Sequence, residues 1–317
     1  MEYISVFFIL VFVAFVYLKL AKIFNIIDNP NHRSSHKTPT IRGGGVLFYV
    51  ALIVFFVFSG FKYPLFMIGT TLVAIVSFVD DIHPLAPKLR FVVQIIGIVF
   101  LLLEVHFNLN LFILAIILII GVAFINAFNF MDGINAITGF YSSVVLGGFL
   151  YFDLFIIDFV DEKMLSFILI SILVFGFFNF RKKALFFAGD IGSISLASII
   201  FLTSCLFFKD TNSPIVFLML GIYGVETSLT IIRRFFLKQN ITEAHREHLY
   251  QKIVDNRTVS HVRLSFYYAI AQSLLIIEGV YVFTLDVKLQ WIYVIVSFAI
   301  LVIVYSYLLR KFSVKLV

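Results

Sequence analysis

Asp80 and Asp81 stand side by side at the end of an apolar run, in "VSFVDDIHP". Two adjacent carboxylates beside a hydrocarbon boundary repel one another and lose hydration unless a cation neutralises them. Hard oxygen ligands of this kind suit magnesium, which binds through one or two carboxylates together with substrate phosphates. A water-hydrated helix end is the plainer alternative. Asp190, in "FAGDIGS", opens a later apolar run, where Asp is a good helix cap. Gly189 and Gly192 let a ligand approach the backbone, and a helix N-terminus favours phosphate, so capping and metal binding are compatible there. In "INAFNFMDGIN" the side chains of Asn126, Asn129 and Asp132 recur every third residue. Such steps drift by about 60° each on a helix of ~3.6 residues per turn, which keeps all three on one face. A polar stripe at the end of a membrane helix is costly unless it meets protein, water or a ligand. A hydrogen-bonded cluster between helices is the structural alternative. Gly133 reads as the helix stop.

Basic groups accompany these acids. "AHREHLYQK" sets His245 and His248 one turn apart with Arg246 between them. No third soft ligand favours zinc, so groups aimed at phosphate fit better, with a solvated face as the alternative. "NPNHRSSHKTPTIRGGG" brings Arg33, His36, Lys37 and Arg42 before three glycines. It lacks the Gly-Lys-Ser/Thr ending of a Walker A loop, but basic residues with Gly at a helix start suggest contact with phosphate or anionic lipid. Lys88 and Arg90 flank a further apolar run.

The elements that must position these groups are membrane helices. Of 317 residues, 62% are hydrophobic and 13% charged, where a soluble domain carries about a quarter charged. Several windows reach the ~20 apolar residues that cross a bilayer, and in lipid such windows are helical. Eleven apolar segments are expected, near 3–21, 45–60, 64–79, 91–105, 110–128, 137–157, 164–180, 191–208, 214–232, 264–285 and 290–309. The fold class is therefore all-α: a polytopic integral membrane protein of about 11 transmembrane helices. No repeat or soluble insertion divides it, so 1–317 reads as a single membrane domain with a motif-bearing core at about 20–265. The first run follows Glu2 and no A-x-A site succeeds it, which reads as a retained helix. Cys205 is the one cysteine, so no intramolecular disulfide is available.

Lys and Arg set orientation. With the N-terminus outside and the C-terminus cytoplasmic, only Lys62, Lys163, Lys209 and Lys288 of the 24 basic residues fall outside. The +6 net charge then reflects this bias, and no nucleic-acid partner is needed. All five polar clusters fall on the same cytoplasmic side. Carboxylates from three loops, a polar stripe and basic loops would surround one pocket, for magnesium-assisted work on a phosphate at a membrane surface.

"DD" after a helix, "NAFNFMDG", "FAGDIGS" and "AHREHLYQ", in this order and spacing, resemble the bacterial polyprenyl-phosphate N-acetylhexosamine-1-phosphate transferases. Their superfamily also holds phospho-N-acetylmuramoyl-pentapeptide transferase. "PNHRSSHKTPTIRGGG" is similar to the subgroup that starts O-antigen and other surface-polysaccharide lipid intermediates. The resemblance implies transfer of N-acetylhexosamine-1-phosphate from a UDP-sugar to undecaprenyl phosphate, releasing UMP, at the bacterial cytoplasmic (inner) membrane. It implies Mg2+ as cofactor, with Mn2+ as a substitute, and UDP-N-acetylhexosamine, undecaprenyl phosphate and the lipid bilayer as partners; a homodimer is left open. By motif, Asp190 resembles the metal ligand and Asp80 the carboxylate proposed as base or nucleophile and metal neighbour, with Asp81 supporting the geometry. Asn129 and Asp132, with Asn126, match the motif that orders nucleotide and diphosphate. Phe187 stands where an aromatic meets uracil. His245, Arg246 and His248 correspond to the basic loop on the sugar-nucleotide phosphates, and Lys88 and Arg90 to positions near the lipid phosphate; Arg33 and His36 of the loop before the glycines are further candidate substrate-binding residues.

Two departures appear. Many relatives read "DGxDG" where this chain has Asp132-Gly133-Ile134-Asn135-Ala136, so Asn135 supplies no second charge. "HREH" also differs from the triple-His version of the peptidoglycan enzyme, which leans the expectation toward a simple UDP-sugar. The competing class is a secondary transporter or flippase, with Glu226 and Glu278 as intramembrane carboxylates. Against it, most carboxylates cluster at one interface and no paired repeat is seen.

Overall fold

The computed structural model describes residues 1–30, 35–36, 38–240, 246–256 and 259–313. Arg33, Lys37 and His245, three of the basic residues singled out above, lie outside the described residues. The helices are α1 (Glu2–Ile23), α2 (Val46–Phe58), α3 (Pro64–Ile82), α4 (Pro87–Val105), α5 (Leu111–Met131), α6 (Ile137–Phe155), α7 (Glu162–Asn179) and α8 (Gly189–Thr211). They continue with α9 (Ile215–Met219), α10 (Gly221–Phe236), α11 (Leu249–Asp255), α12 (His261–Val282) and α13 (Val287–Ser313). One short antiparallel pair, β1 (Ile27–Asp28) with β2 (Thr40–Ile41), lies before α2.

Among the described residues, eight helices are long and apolar enough to cross a membrane: α1, α3, α5, α6, α7, α8, α12 and α13. Each of the eleven apolar segments is helical, but they are unequal. α2 has 13 residues, and α4, at 19, carries Lys88, Arg90 and Glu104. The ninth segment is broken: α9 ends and α10 begins around Leu220. The break exposes backbone groups that lipid cannot satisfy. Gln272 of α12 meets both sides, its Nε2 donating to the carbonyls of Leu218 (2.8 Å) and Met219 (2.9 Å) while its Oε1 accepts the Ile222 N–H (3.1 Å).

The core is built round α8, which is buried throughout from Gly189 to Phe207; α2, α3, α4, α5, α6 and α9 pack against it. Its sequence explains this. Gly, Ala and Ser residues let neighbouring helices approach closely, and Ser198, Thr203 and Ser204 donate back to the carbonyls of Ile194, Ile199 and Ile200, so their hydroxyls cost little in an apolar interior. α1 and α13 are peripheral, with rows of exposed Phe, Ile and Val.

The ends of the bundle differ. At one, the C-termini of α3 and α5 meet the N-termini of α4, α8 and α11 through Arg90, Asp81 and Tyr250. At the other, Lys62 pairs with Asp161, Lys163 with Glu2, and Glu104 accepts the Phe66 N–H that opens α3. The polar clusters singled out in the sequence that lie within the described residues thus share one end of the molecule.

Candidate active site

Asp190 is placed by a close backbone meeting. Residues 41–45 and 186–188 pair like strands: Phe187 N–H donates to Ile41 (2.8 Å), Gly44 to Phe187 (2.8 Å) and Gly45 to Ala188 (2.9 Å). A Cβ on Gly45 would lie 2.2 Å from the Gly192 Cα, and one on Gly44 2.1 Å from the Phe186 ring. Gly44 and Gly45 therefore serve close packing against the 186–192 segment, and Gly43, at φ +77°, lies against the Tyr17 hydroxyl. Gly189 has φ +72°, and a Cβ there would meet the Asp81 carboxylate at 2.4 Å.

Five charges interlock at this point. Asp81 Oδ1 accepts the Asp190 N–H at 2.8 Å, and Oδ2 the Ile191 N–H at 3.1 Å, so a side chain from α3 caps α8. Arg42 Nε donates to Asp81 Oδ1 (2.6 Å), and its Nη2 to Asp190 Oδ1 (2.8 Å). Arg90 Nη1 reaches Asp80 Oδ2 (2.6 Å) and Asp190 Oδ2 (3.2 Å), while Asp80 Oδ1 accepts the Leu85 N–H (2.6 Å). Burial works against the Arg42 charge, but Asp81, Asp190 and Asp28 outweigh it and hold the guanidinium protonated well above its ordinary range. Asp81, placed by the sequence among the catalytic carboxylates, is walled off from the cavity; it supports the site from behind because both oxygens are taken by α8 and Arg42.

Beside this network lies a cavity of about 720 Å³ lined by Arg42, Asn129, Asp132, Phe187 and Asp190, among others. Asp132 accepts the Thr138 hydroxyl at 2.6 Å. Burial pushes its carboxyl up to about 6; the Thr138 bond offsets part of this, and the Asp190 charge adds to it. His36 and Phe187 line the wall as an edge-to-face pair with centroids 4.9 Å apart.

Several expected contacts are not made in this way. Asn126 does not line the cavity: it exchanges hydrogen bonds with Gln94 of α4 (2.7 and 3.4 Å) and donates to the Val122 carbonyl (2.8 Å). It belongs to the interhelical alternative, because position 126 lies nearly two turns deeper than Asp132 and faces α4. Lys88 is exposed and does not line the cavity. His248, 1% exposed, stacks on Tyr250 and forms part of the N-cap of α11, so it is turned inward. Arg246 pairs with Asp255 at 2.6 Å.

The cavity also contains groups that sequence reasoning passed over, Asp28, Gln251, His261 and Asn179, together with Asn135 of the departed motif. Arg42 had a signal, a basic residue directly before the glycines. Asn135 has a physical account. Its amide donates to the carbonyls of Arg181 (2.7 Å) and Lys182 (3.4 Å), which a carboxylate could not do, and Asn179 accepts the Ala136 N–H (2.8 Å). The departure from "DGxDG" thus ties the α5–α6 turn to the loop before α8.

Among the described residues, no three His, Cys, Asp or Glu side chains are grouped to hold a metal by themselves. Asp80 and Asp190 share one Arg90 nitrogen and so present a two-carboxylate set. That set fits a hard divalent cation whose remaining ligands are water and substrate phosphate.

An all-α bundle with eight helices long and apolar enough to cross a membrane, and with acids, Arg42 and amides converging on one cavity, defines a class of polytopic membrane proteins with a polar cavity. Residues 63–208 match the family model of Glycosyl transferase family 4. The chain is 23% identical over 252 residues to a probable undecaprenyl-phosphate N-acetylglucosaminyl 1-phosphate transferase of Bacillus subtilis, covering 72% of this chain and 69% of the relative. It is 24% identical over 262 residues to the undecaprenyl-phosphate alpha-N-acetylglucosaminyl 1-phosphate transferase of Thermotoga maritima, covering 78% and 80%. A phospho-N-acetylmuramoyl-pentapeptide-transferase of Prochlorococcus marinus is 27% identical over 286 residues, covering 77% of each. The family resemblance read from the motifs is borne out.

Proposed function

We propose that this chain transfers N-acetylhexosamine-1-phosphate from UDP-N-acetylhexosamine to undecaprenyl phosphate, releasing UMP. The supporting observation is the convergence of Asn129, Asp132, Phe187, Asp190 and Arg42 on one cavity, in a chain similar to transferases of this kind. A phosphate monoester is mostly dianionic at neutral pH, since its second pKa is about 6. The lipid phosphate oxygen attacks the sugar-bearing phosphorus in line; the P–O bond to the α-phosphate breaks, and UMP leaves with that oxygen. Arg42 and Arg90 offset charge on the phosphoryl oxygens. Phe187 offers a face to the base, with His36 against its edge. Asn129 and Asp132 orient the diphosphate. Asp190 and Asp80 would hold Mg2+ (or Mn2+), which supplies charge neutralisation at the transferring phosphate.

The same reading takes the chain across the bacterial cytoplasmic membrane in eleven segments, N-terminus outside and C-terminus inside, with the cavity facing the cytoplasm. The product would begin a surface polysaccharide such as an O-antigen. The test is purified protein with magnesium, undecaprenyl phosphate and a panel of radiolabelled UDP-N-acetyl sugars. Label entering lipid with equimolar UMP is expected; no transfer from any of them would overturn the reading. For topology, an impermeant maleimide on intact cells should label a Lys62→Cys variant and spare Lys88→Cys.

A further inference from the structure

Glu226 lies on α10 in an apolar segment and is 3% exposed. A carboxylate at such a place is costly and in membrane proteins marks function by default. It does not line the 720 Å³ cavity. Its Oε1 accepts the Tyr250 N–H at 3.0 Å, and its Oε2 is hydrogen-bonded to the Tyr268 hydroxyl of α12. One side chain thus joins α10, α11 and α12. α11 has seven residues, too few to be stable alone, so its position depends on such ties.

Two residues of α11 reach the site. Gln251 lines the cavity; its Oε1 accepts the His248 N–H at 3.2 Å, and its side chain also hydrogen-bonds the Tyr250 hydroxyl. Tyr250 donates its hydroxyl to the Phe130 carbonyl at 3.0 Å, in the last turn of α5. A Cβ on Gly133 would lie 2.1 Å from that hydroxyl, so the tyrosine sits directly against the Asp132–Gly133 turn.

We propose that Glu226 is a positioning residue for the sugar-nucleotide side of the cavity: by holding Tyr250 it sets α11, and with it Gln251 and the Asp132–Gly133 turn, in the geometry that receives the sugar diphosphate. This rests on the transferase reading above. Asp80 and Arg90, assigned above to the metal and to phosphoryl charge, do not line this cavity; they meet each other, Asp190 and the Leu85 N–H, not α11, so the lipid-phosphate side should not depend on Glu226.

The test uses full-length purified protein. Glu226→Ala should raise KM for UDP-N-acetylhexosamine roughly tenfold, the scale of one lost hydrogen bond to a charged group, with KM for undecaprenyl phosphate unchanged. Glu226→Gln keeps an oxygen for the Tyr250 N–H and should restore nearly wild-type KM. Tyr268→Phe, which removes one partner of the carboxylate, should shift the same KM in the same direction by less, and serves if Glu226→Ala does not fold. A readout independent of catalysis is maleimide labelling of a Gln251→Cys variant, since native Cys205 is buried. Glu226→Ala should change that rate and leave labelling of Asn129→Cys unchanged. Equal rises in both KM values, or an unchanged rate at Gln251→Cys, would overturn the proposal. If wild-type protein moves no label into lipid, the transferase reading fails by itself, and the labelling rates still decide whether Glu226 places α11.

Discussion

Asp81 and Glu226 do the same thing in two places, and the surroundings give the act different consequences. Each is a buried carboxylate from one helix that accepts backbone N–H groups at the start of another: Asp81 at α8, Glu226 at α11. Asp81 is paired with Arg42, and the helix it caps has 23 residues packed on all sides. Glu226 is met by a hydroxyl and a backbone N–H, with the His248 imidazole Nδ1 4.0 Å from its Oε1; the helix it caps has seven residues. The lesson is that a cap on a helix already held by packing adds stability, whereas a cap on a short helix sets its position. Removing the first should cost the fold, and removing the second should cost affinity.

The largest expected effect lies at Asp190, whose backbone N–H is held by Asp81. Asp190→Asn should lower kcat by on the order of 10²–10³-fold, as loss of one preorganised electrostatic group does, in a magnesium titration of folded protein; normal turnover would remove the proposed metal site. Asp81→Ala leaves two N–H groups and Arg42 facing an empty place, so unfolding in detergent should register a loss of about 3–5 kcal/mol. A change in KM with no loss of stability would erase the contrast with Glu226. Gly45→Ala forces a methyl toward Gly192 and should cost about 1–3 kcal/mol, read in the same way.

A pH measurement sharpens the picture at Asp132. Its folded-state carboxyl is raised to about 6, above the unfolded value of about 3.9. The folded protein therefore binds the extra proton between these values, and stability should fall as pH rises from about 4 to about 6, by at most about 1.4 kcal/mol per pH unit. Asp132→Asn should flatten that slope. The smallest effect is expected for the double change Gln94→Leu with Asn126→Leu, which removes both partners of one amide pair. KM values should be unchanged and stability altered by less than about 1 kcal/mol; a raised KM for either substrate would return Asn126 to the site.

Much of this was legible in the residues. Eleven apolar runs are readable because hydropathy is local, and all eleven are helical. "FAGDIGS" and "NAFNFMDG" are readable because a polar group at the end of such a run has few purposes, and Asp190, Asp132 and Asn129 do line the cavity. The break at Leu220 was invisible, since Gln272, which satisfies it, lies 50 residues beyond Ile222. The packing role of the glycines was hidden for a related reason: Gly44 and Gly45 meet residues 186–192 and Gly43 meets Tyr17, and nothing near position 44 announces these contacts. Arg42 was readable as a base of the glycine-flanked loop, but not as the link between Asp81 and Asp190.

The amino-acid order by itself determined that this is an α-helical membrane chain with acids and bases gathered in particular connections, because apolar length, charge bias and motif spacing are properties of neighbouring residues. Which of two adjacent aspartates supports α8 from behind, which asparagine is spent on a neighbouring helix, and which buried glutamate places α11 were decided only by tertiary structure. Each outcome depends on hydrogen-bond partners brought from distant segments, and a buried polar group takes its role from the partner that satisfies it.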